Sequence, residues 1–409
     1  MKRIILLVVL TVSILICTSC LSDTGQFSDS IYFITTDAGD AIGLHGSSLS
    51  IPIKINPKTG TATAVCLDPL CSYSVFECPL GNTRMRAVAG DFMFFVSAFH
   101  GYDDSPDDPK QFSVYDMLDG SYTQLATYEN YPIFVATYEN WLYYYEISTI
   151  KGSANDGYSA AARLCRVNGE SSRIEYLSDS NEYNSAYSFT YENLPQIIGF
   201  DDKFIVWKYL GDNESGYEFY LTDHKNKNKR VIAHDTEGIK TDISFSDGYI
   251  FYTQQINNES KAQDSEYSRE KYTKENILYS MDINTGEKKT ICSYMAKYII
   301  SGDTIYYTVC RDDPEVINWE MGSEYDWYGG KLYSIRIDGN EQKLVGTIDG
   351  VNLSGFLDAK EIDGVNYLHL NFYDWNDNDF YKSGKEYARS NNTIVFNCSS
   401  GEYSIIKWE

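Results

Sequence analysis

The chain repeats one short pattern seven times along its length. Each copy contains a turn, a short aromatic strand, an insert of variable length and a hairpin that carries Asp or Asn together with Gly. The two clearest copies are 246–253 followed by 277–286, and 301–308 followed by 332–339. Their strands are rich in β-branched and aromatic residues, and the Asp/Asn and Gly residues suit the positive φ angles of tight turns. Such a period predicts a repeat protein built from β-sheets.

The remaining five copies are weaker and start at residues 29, 90, 139, 201 and 363. Equivalent strand positions in the seven copies are 31, 93, 142, 204, 250, 305 and 366, which lie 46 to 62 residues apart. This spacing accommodates one four-stranded blade with inserts. A lone blade cannot bury both of its faces, so the repeats predict an all-β fold, a single β-propeller of seven four-stranded blades over 29–409. Six or eight blades, or two packed β-sandwiches, are the alternatives.

The two ends of the propeller are expected to meet. Almost nothing before Asp29 could act as an inner strand of the first blade. We therefore expect the first and last blades to share strands, or one blade to be incomplete, because closing the ring removes exposed sheet edges. Trp141, Trp207 and Trp408 lie in strand patterns and are predicted to belong to the core.

The first twenty residues have the layout of an export signal. Met1-Lys2-Arg3 is positively charged, residues 4–16 are nearly all aliphatic, and Thr18-Ser19 precedes Cys20. The apolar run is too short and wrongly flanked for a stable membrane span. Small residues before a cysteine resemble the bacterial lipoprotein box, although Cys17 stands where Leu is usual. The resemblance implies a signal peptide at 1–19, a lipid on Cys20, a tether at 20–28 and attachment outside the cytoplasm, on the bacterial cell envelope. An ordinary signal peptide cut near Ser19 is the alternative.

Composition excludes two classes of protein. The chain carries 34 Lys and Arg against 58 Asp and Glu, a formal net charge of -24. An acidic surface repels phosphate backbones, so no nucleic-acid partner is predicted. Aromatic residues make up 15% of the chain, whereas a disordered chain would be poor in them.

The strand and hairpin motifs resemble those of aromatic-strand β-propellers found in lipoproteins of clostridia and their relatives. Their unit reads G-D-x-I-Y-Y-T followed by L-Y-x-I-x-x-D-G, which residues 302–308 and 332–339 match. The resemblance is strong over 245–345 and looser over the rest of 29–406. Residues 65–79 also look like the C-x-D-P-x-C insert of the first blade in those proteins. The resemblance implies a fold and a lipid anchor but no activity.

Cys66, Cys71 and Cys78 fall in that insert. The resemblance implies a histidine two residues after the second cysteine, and Tyr73 stands there instead. Because Tyr is a poor zinc ligand, a metal site is less favoured than free thiols or a disulfide, either Cys66–Cys78 or Cys71–Cys78. The other three cysteines of the propeller are expected to be buried, inert thiols; they are Cys165, Cys292 and Cys398.

No catalytic signature is recognisable. The chain lacks a G-x-S-x-G motif, a phosphate-binding loop and a dinucleotide-binding fingerprint, and its five histidines have no zinc-protease spacing. The acidic stretch 374–379 lacks the Gly and Glu that a calcium loop requires. No cofactor and no metal are therefore predicted, and no catalytic residue can be chosen.

The long inserts are the strongest indication of function. They are predicted between the second and third strands of the blades, so they emerge on one face beside the channel mouth, at about 34–51, 97–111, 146–162, 254–276, 309–331 and 373–392. Several inserts contain aromatic and acidic residues together. An aromatic ring flanked by carboxylates is suited to stack against a sugar or to form a hot spot of a protein interface. The alternative is that the rings pack the inserts onto the propeller. The candidate ligand-binding residues are Trp319, Tyr325, Trp327, Tyr328, Tyr373 and Trp375.

These observations favour a binding or scaffold function over catalysis. The predicted ligand is a glycan, a peptide or a protein of the envelope, bound on the face that carries the inserts. One alternative is a glycan hydrolase or lyase that uses two carboxylates at the channel mouth. A second alternative is a sensory or envelope-assembly factor.

Overall fold

The fold is that of a computed structural model, which describes residues 31–35, 51–68, 80, 83–98, 110–130, 132–153, 157–185, 194–210, 216–235, 240–256, 275–293, 295–309, 331–348, 351–374 and 393–408. Every regular element in these ranges is a β-strand. Over the same ranges, no helix has the length and apolarity that crossing a membrane requires.

The described strands follow one another along the chain and form seven sheets. The first three sheets contain β1 (Ile31–Thr35), β2 (Ile51–Asn56) and β3 (Thr61–Ala64); β4 (Thr83–Ala89), β5 (Phe92–Ala98), β6 (Lys110–Asp116) and β7 (Tyr122–Tyr128); and β8 (Ile133–Tyr138), β9 (Trp141–Ser153), β10 (Gly157–Asn168), β11 (Ile174–Tyr176) and β12 (Asn181–Ser185). The fourth and fifth sheets contain β13 (Gln196–Phe200), β14 (Ile205–Leu210), β15 (Tyr217–Thr222) and β16 (Arg230–Asp235); and β17 (Lys240–Ser246), β18 (Tyr249–Ile256), β19 (Glu275–Asp282) and β20 (Lys288–Ser293). The sixth and seventh sheets contain β21 (Met295–Ser301), β22 (Thr304–Val309), β23 (Lys331–Arg336) and β24 (Lys343–Thr347); and β25 (Val351–Ile362), β26 (Val365–Asp374), β27 (Thr393–Asn397) and β28 (Tyr403–Ile405). The last strand, β29 (Lys407–Trp408), joins the first sheet.

The sheets are arranged around a common axis. Neighbouring strands within a sheet are antiparallel, except for β29 beside β3, and the first strands of the second to seventh sheets contact one another from β4 through β8, β13, β17 and β21 to β25, which also contacts β1. The first strands are therefore innermost and the fourth strands outermost. This is the arrangement of a β-propeller and confirms the predicted all-β class.

The repeated aromatic motif lies mostly in the second strand of a sheet, which is buried on both faces. In the sixth sheet Tyr306 packs against the seventh sheet, whereas Tyr307 packs against the fifth. Successive residues of a strand point to opposite faces. The motif is therefore apolar without interruption, because both of its faces meet a neighbouring sheet. Stacked rings join the second and third strands at the same register in three sheets, as Trp207–Tyr220, Tyr252–Tyr279 and Tyr307–Tyr333.

Seven hydrophobic clusters of described residues fill the boundaries between consecutive sheets. At one boundary Ile53 of the first sheet packs with Val395 of the seventh. At another, Val65, which follows the first sheet's β3, packs with Phe95 of the second. Because the seventh and first sheets share a core as the other neighbours do, the described sheets form a closed ring.

The first sheet is completed from the far end of the chain. Lys407 and Trp408 of β29 pair in parallel with Thr61 and Ala62 of β3. Ile406, just before them, is buried in the cluster between the first and seventh sheets. Of the two expected alternatives, shared strands or an incomplete blade, this pairing shows a shared strand, which lies at the outer edge beside β3 and not at the inner edge beside β1.

The turns use the residues that the sequence analysis identified. Between the first two strands of the fifth sheet, Asp247 and Gly248 both have positive φ, at 46° and 81°, as a type I′ turn requires. Between its third and fourth strands, the N–H of Gly286 donates to the carbonyl of Asp282 over 2.8 Å. The Asp282 carboxylate also accepts the N–H of Asn284 over 2.7 Å. These hydrogen bonds fix the hairpin without help from neighbouring sheets.

The third sheet departs from the prediction. Residues 146–162 were expected to form a loop, but β9 and β10 continue through this region as a long hairpin. β12 pairs with the far part of β10, so the sheet has five strands rather than four. The stretch is rich in Ser, Gly and Asn, which are typical of loops, and backbone pairing overrides that preference.

Candidate functional site

The two ends of the ring differ. The turn face carries the first turns and the third-to-fourth hairpins of the sheets; for example, the N–H of Gly169 donates to the carbonyl of Asn140 over 2.8 Å. The insert face is the opposite end, where second strands lead to third strands, because antiparallel strands alternate in direction. A ligand held by the predicted inserts would therefore bind on the insert face.

The predicted ligand-binding residues are mostly beyond the described part of the chain. Trp319, Tyr325, Trp327, Tyr328 and Trp375 lie outside the described residues. The backbone of Tyr373 belongs to β26, where it pairs with Asn352 of β25 at the insert-face end of the seventh sheet. Their role in binding stays a prediction.

A cavity of about 210 Å³ opens among the innermost strands at the insert face. It lies where β8, β13 and β17 approach one another, close to the starts of these strands. Its described walls are largely aliphatic, with Lys208 as the one charged side chain. The described lining residues are Ile133, Phe134, Val135, Tyr145, Leu194, Pro195, Gln196, Ile197, Ile198, Lys208 and Ile243.

Irregularities of the innermost strands shape this cavity. The register of β8 against β9 shifts around Val135, and that of β13 against β14 shifts around Ile198. A third shift leaves Asp242 and Ile243 of β17 without partners in the ladder to β18. A β-bulge inserts a residue into one strand and re-aims its side chain. Val135, Ile198 and Ile243 are such residues, and all three line the cavity.

A tyrosine braces the cavity wall. The hydroxyl of Tyr145 donates to the backbone carbonyl of Pro195 over 3.0 Å and so joins the third sheet to the segment that leads into the fourth. Burial raises the pKa of Tyr145 well above its usual value. Tyr145 therefore stays protonated and serves as a hydrogen-bond donor rather than as a base.

An ion pair fixes the bulge beside the cavity. Asp242 has a positive φ of 49°, and its carboxylate accepts from the ammonium of Lys297 over 3.1 Å. The hydroxyl of Tyr298 contacts the carbonyl of Asp242 and lies 3.0 Å from the hydroxyl of Ser244. These contacts tie β17 to β21 on the far side of Ile243, which gives the cavity a firm wall.

The turn face carries a second polar cluster, around Arg166. Its guanidinium donates to Glu175 over 2.8 and 3.0 Å, to Tyr143 over 3.3 Å and to the carbonyl of His224 over 3.0 Å. The same guanidinium lies 4.1 Å from the centre of the Trp141 ring. This side chain uses its donors within the protein, so the cluster is a structural link rather than a ligand site.

The predicted core tryptophans have different environments. Trp207 is buried, as predicted, and its indole N–H donates to the hydroxyl of Thr222 over 2.8 Å. Trp141 is half-buried: it packs against the hydrophobic cluster between the third and fourth sheets, and the guanidinium of Arg166 lies over its ring. Trp408 belongs to β29.

The cysteines separate into two groups. Cys165, Cys292 and Cys398 are free thiols, and burial raises the pKa of each to about 12. Cys165 is buried, as expected, whereas Cys292 and Cys398 are half-buried, and the inertness of the three thiols stays a prediction. Cys66 is buried next to the second sheet, whereas Cys71 and Cys78 lie outside the described residues. A disulfide among these three stays a prediction.

No group of three or more His, Cys, Asp or Glu side chains within the described ranges could hold a metal ion. The described wall of the cavity contains an amine, a phenol and an amide but no carboxylate. The amine, the phenol and the amide can form hydrogen bonds with a ligand, and the aliphatic side chains beside them can form apolar contacts with it.

Sequence reasoning did not identify the cavity residues. Val135, Ile198 and Ile243 occur in ordinary β-branched runs, which give no sign of a cavity. A bulge is defined by the partner strand, so a single extra apolar residue gives no periodic signal. The cavity lies at the end of the ring where the second strands end and the predicted inserts begin, and a ligand site on this face stays a prediction.

Comparison with known proteins gives similarity of fold at low identity. No family model and no curated sequence matches the chain. The β-propeller domain of the Trilobed protease from Pyrococcus furiosus is 10% identical, with 93% of this chain and 94% of that chain covered and a TM-score of 0.46. The acylaminoacyl peptidase of Pyrococcus horikoshii is 11% identical, with coverages of 93% and 51% and a TM-score of 0.49. An oligogalacturonate lyase from Vibrio parahaemolyticus is 12% identical, with coverages of 84% and 85% and a TM-score of 0.44.

Proposed function

We propose that this protein is a lipoprotein of the bacterial cell envelope whose propeller binds a ligand on the insert face. A lipid on Cys20 holds it to the membrane on the extracytoplasmic side. The ligand is a glycan, a peptide or another envelope protein. The observation that carries the binding function is the cavity of about 210 Å³ at the end of the ring where the predicted inserts emerge.

Three features support binding at this end. The cavity has a firm frame, because Tyr145 and Lys297 join neighbouring sheets on either side of it. The cavity lining combines aliphatic side chains with polar groups, among them Gln196, Lys208 and the hydroxyl of Tyr145, and pockets in which polar groups converge are typical of small-ligand sites. The predicted inserts that contain Trp327 and Trp375 follow β22 and β26, and these strands end on the same face as the cavity.

The described wall favours binding over catalysis. A glycan hydrolase needs two carboxylates on either side of the bond that it cleaves. The described lining residues supply Lys208 and Tyr145 but no carboxylate, and burial keeps the Tyr145 phenol protonated by raising its pKa. We therefore propose that the protein is a binding module, and a role in envelope assembly is one form that this binding could take.

Membrane attachment is tested by a substitution of the proposed lipid site. Cys20→Ser should release the protein from the membrane fraction and abolish metabolic labelling with a fatty acid analogue. Cys17→Ser is the matched control, because it changes a cysteine within the signal and should leave attachment intact. Labelling that persists in Cys20→Ser would contradict the anchor.

Ligand binding is tested with residues 21–409 by tryptophan fluorescence, against peptidoglycan fragments, other glycans and short peptides. A saturable change that is lost in Trp327→Ala or Trp375→Ala would support a ligand on the insert face. Trp141→Phe is the control, because Trp141 lies at the turn face beside Arg166 and should leave the titration unchanged. If no ligand class gives a saturable change while the protein is folded, the binding proposal fails.

A further inference from the structure

We infer that the hairpin at residues 223–230 docks on anionic lipid headgroups of the membrane to which the chain is anchored. The turn face is then directed toward the membrane, and the insert face is free to receive a ligand. This inference rests on the lipid anchor of the proposed function. It follows from the place where the chain enters the propeller and from the charge and rigidity of this hairpin.

The chain enters the propeller at the turn face. Ile31, the first residue of β1, pairs with Ile55 near the end of β2. The hairpin after β2 lies at the turn face, because its Lys58 ammonium pairs over 2.6 Å with Asp363 in the first turn of the seventh sheet. Ile31 follows Cys20 by eleven residues, which span at most about 36–40 Å. A lipid on Cys20 is therefore attached on the side of the turn face.

The hairpin of the fourth sheet differs in charge from the hairpins of the other sheets. Its link between β15 and β16, residues 223–229, contains three lysines and one aspartate, and Arg230 follows directly. The corresponding links of the second, fifth, sixth and seventh sheets are net negative, and that of the third sheet is neutral. In the first sheet the link contains Lys58, which is paired with Asp363. In a protein with a net charge of -24, residues 223–230 therefore form a local positive surface.

Three cationic groups of this hairpin are available to a partner. Lys225, Lys227 and Arg230 are exposed, and their side chains form no ion pair in the part of the chain that the structure describes. Lys229 differs, because its ammonium pairs with the carboxylate of Glu218. The first three residues can therefore contact an anionic surface without breaking an ion pair within the protein.

The hairpin is ordered before it binds. The carboxylate of Asp223 accepts the backbone N–H groups of Lys225 and Lys227, each over 2.9 Å, and the side-chain amide of Asn228 over 2.8 Å. Asn226 and Asn228 have positive φ angles of 56° and 59°. The one acidic residue of the hairpin is thus used to hold the loop. Because the loop is already fixed, docking costs little conformational entropy.

The acidic remainder of the turn face confines the contact to this hairpin. Asp202 lies in the first turn of the same sheet, and Asp247 and Asp303 lie in the first turns of the next two. Exposed charges are largely screened beyond a Debye length of about 8 Å in physiological salt. The tether is long enough for the propeller to tilt, so the hairpin can reach the headgroups while distant carboxylates stay outside this range.

A tethered hairpin needs few charges to bind. Each Lys or Arg near an anionic membrane surface strengthens binding about fivefold. The tether also raises the effective concentration of the hairpin at the membrane, because docking becomes an intramolecular step. Three available cationic groups therefore suffice to hold the fourth sheet against anionic headgroups.

The test uses the full protein, lipidated at Cys20, in vesicles of phosphatidylcholine alone or of phosphatidylcholine and phosphatidylglycerol in equal parts. Lysines are acetylated with an N-hydroxysuccinimide ester, and peptide mass spectrometry reads each site. We expect Lys225 and Lys227 to react at least fivefold more slowly in the vesicles that contain phosphatidylglycerol. Lys331, an exposed lysine where β23 starts at the insert face, is the internal control and should react equally in both. Equal rates at Lys225 and Lys227 in the two kinds of vesicle would overturn the inference.

Two variants and a change of salt identify the cause of the protection. Lys225→Glu should restore fast acetylation of Lys227 in phosphatidylglycerol vesicles. Lys331→Glu, which makes the same change of charge at the insert face, should leave the protection in place. Raising the salt from about 0.1 M to about 0.5 M should abolish the protection, because the contact is electrostatic. Protection that survives both Lys225→Glu and high salt would rule out a contact driven by these charges, and thermal unfolding shows that each variant is folded.

The remaining outcomes distinguish this inference from the function beneath it. If phosphatidylglycerol gives no protection while soluble polyphosphate does, the partner is a soluble polyanion and the membrane inference is wrong. If the hairpin is unprotected while a ligand still binds the insert face, the binding function stands and this inference alone fails. If fatty acid labelling persists in Cys20→Ser, the proposed anchor fails, and the inference fails with it because it depends on the tether.

Discussion

The guanidinium of Arg166 donates a hydrogen bond to the backbone carbonyl of His224 over 3.0 Å, across the boundary between the third and fourth sheets. The imidazole of His224 in turn lies 2.8 Å from the carbonyl of Asp201, in the first turn of the fourth sheet. In four other sheets a backbone N–H makes the equivalent bond from the end of the third strand to the first turn; the donors are Met117, Gly169, Ile283 and Ile337. In the seventh sheet the N–H of Cys398 donates to the carbonyl of Asn366, the second residue of β26. At the fourth sheet the His224 side chain makes this contact in place of a backbone N–H. The hydrogen bond from Arg166 fixes the backbone of His224.

Arg166→Lys should destabilise the protein by about 2 kcal/mol. The lysine keeps the charge but cannot make the paired bonds to Glu175 together with those to Tyr143 and His224, and bonds to charged groups contribute about 1.5–3 kcal/mol each. Urea unfolding measures the change. Arg336→Lys is the control, because the Arg336 side chain is 42% exposed beside Asp303 and such pairs contribute about 0–1 kcal/mol. Equal losses in the two variants would contradict the account of Arg166.

Gly169→Ala should also destabilise the protein, by about 1–3 kcal/mol, for a steric reason. A Cβ atom at Gly169 would lie 2.2 to 2.7 Å from atoms of Phe92 on the second sheet. Gly355→Ala is the matched control, because a Cβ there meets nothing within 4 Å. Unfolding in urea compares them. If Phe92→Ala does not reduce the cost of Gly169→Ala, the clash is not the cause.

The thiols of Cys165, Cys292 and Cys398 should resist alkylation in the folded protein at pH 8. Burial raises the pKa of each from 9.0 to about 12, so the reactive thiolate is roughly a thousandfold rarer than in an exposed cysteine. Iodoacetamide followed by peptide mass spectrometry reads each site separately. All three should react once the chain is unfolded in urea, and rapid native labelling of any of them would refute this prediction.

Acid should destabilise the protein partly through His369. Its ring is fully buried on β26, and burial lowers its pKa from 6.5 to about 4. The unfolded chain therefore binds a proton that the folded protein excludes, so stability is complete above about pH 6.5 and declines as the pH falls toward 4. The loss through this residue amounts to about 3 kcal/mol at pH 4. His369→Leu should remove this slope from stability curves measured between pH 7 and 4.

Two neighbours of His369 define the control for that measurement. Asp358 lies directly across from it on β25, and burial raises the pKa of that carboxyl, which acts in the opposite sense as the pH falls. The difference between wild type and His369→Leu isolates the histidine. Val395→Ala, opposite His369 on β27, should cost stability equally at every pH. A wild-type slope that survives in His369→Leu would rule out this histidine.

Local patterns made much of the fold predictable. The run Ile305-Tyr306-Tyr307 signals a strand buried on both faces, and Asp247-Gly248 signals a tight turn, because each depends only on adjacent residues. Because these patterns recur along the chain, they predicted a β-propeller. The residues of β29 were not distinguishable as a strand of the first sheet, since a two-residue pairing has no sequence pattern of its own.

The site was less accessible to sequence reasoning. The long hairpin of β9 and β10 was mistaken for a loop, because the run Gly152-Ser153 through Asp156-Gly157 contains typical loop residues. The cavity depends on where bulges fall in β8, β13 and β17, which is decided by pairing with other strands. Lys208 gave no signal, since isolated lysines occur in many exposed strands.

The pairing of Lys407 with Thr61 also sets an order of events during biosynthesis. The ribosome makes β3 early, but the strand that covers its outer edge is added only after all the other sheets have been translated. Until then the edge of β3 can pair with another chain, as exposed edges do. Ring closure is consequently a late step, because β29 is made after all of the other described strands.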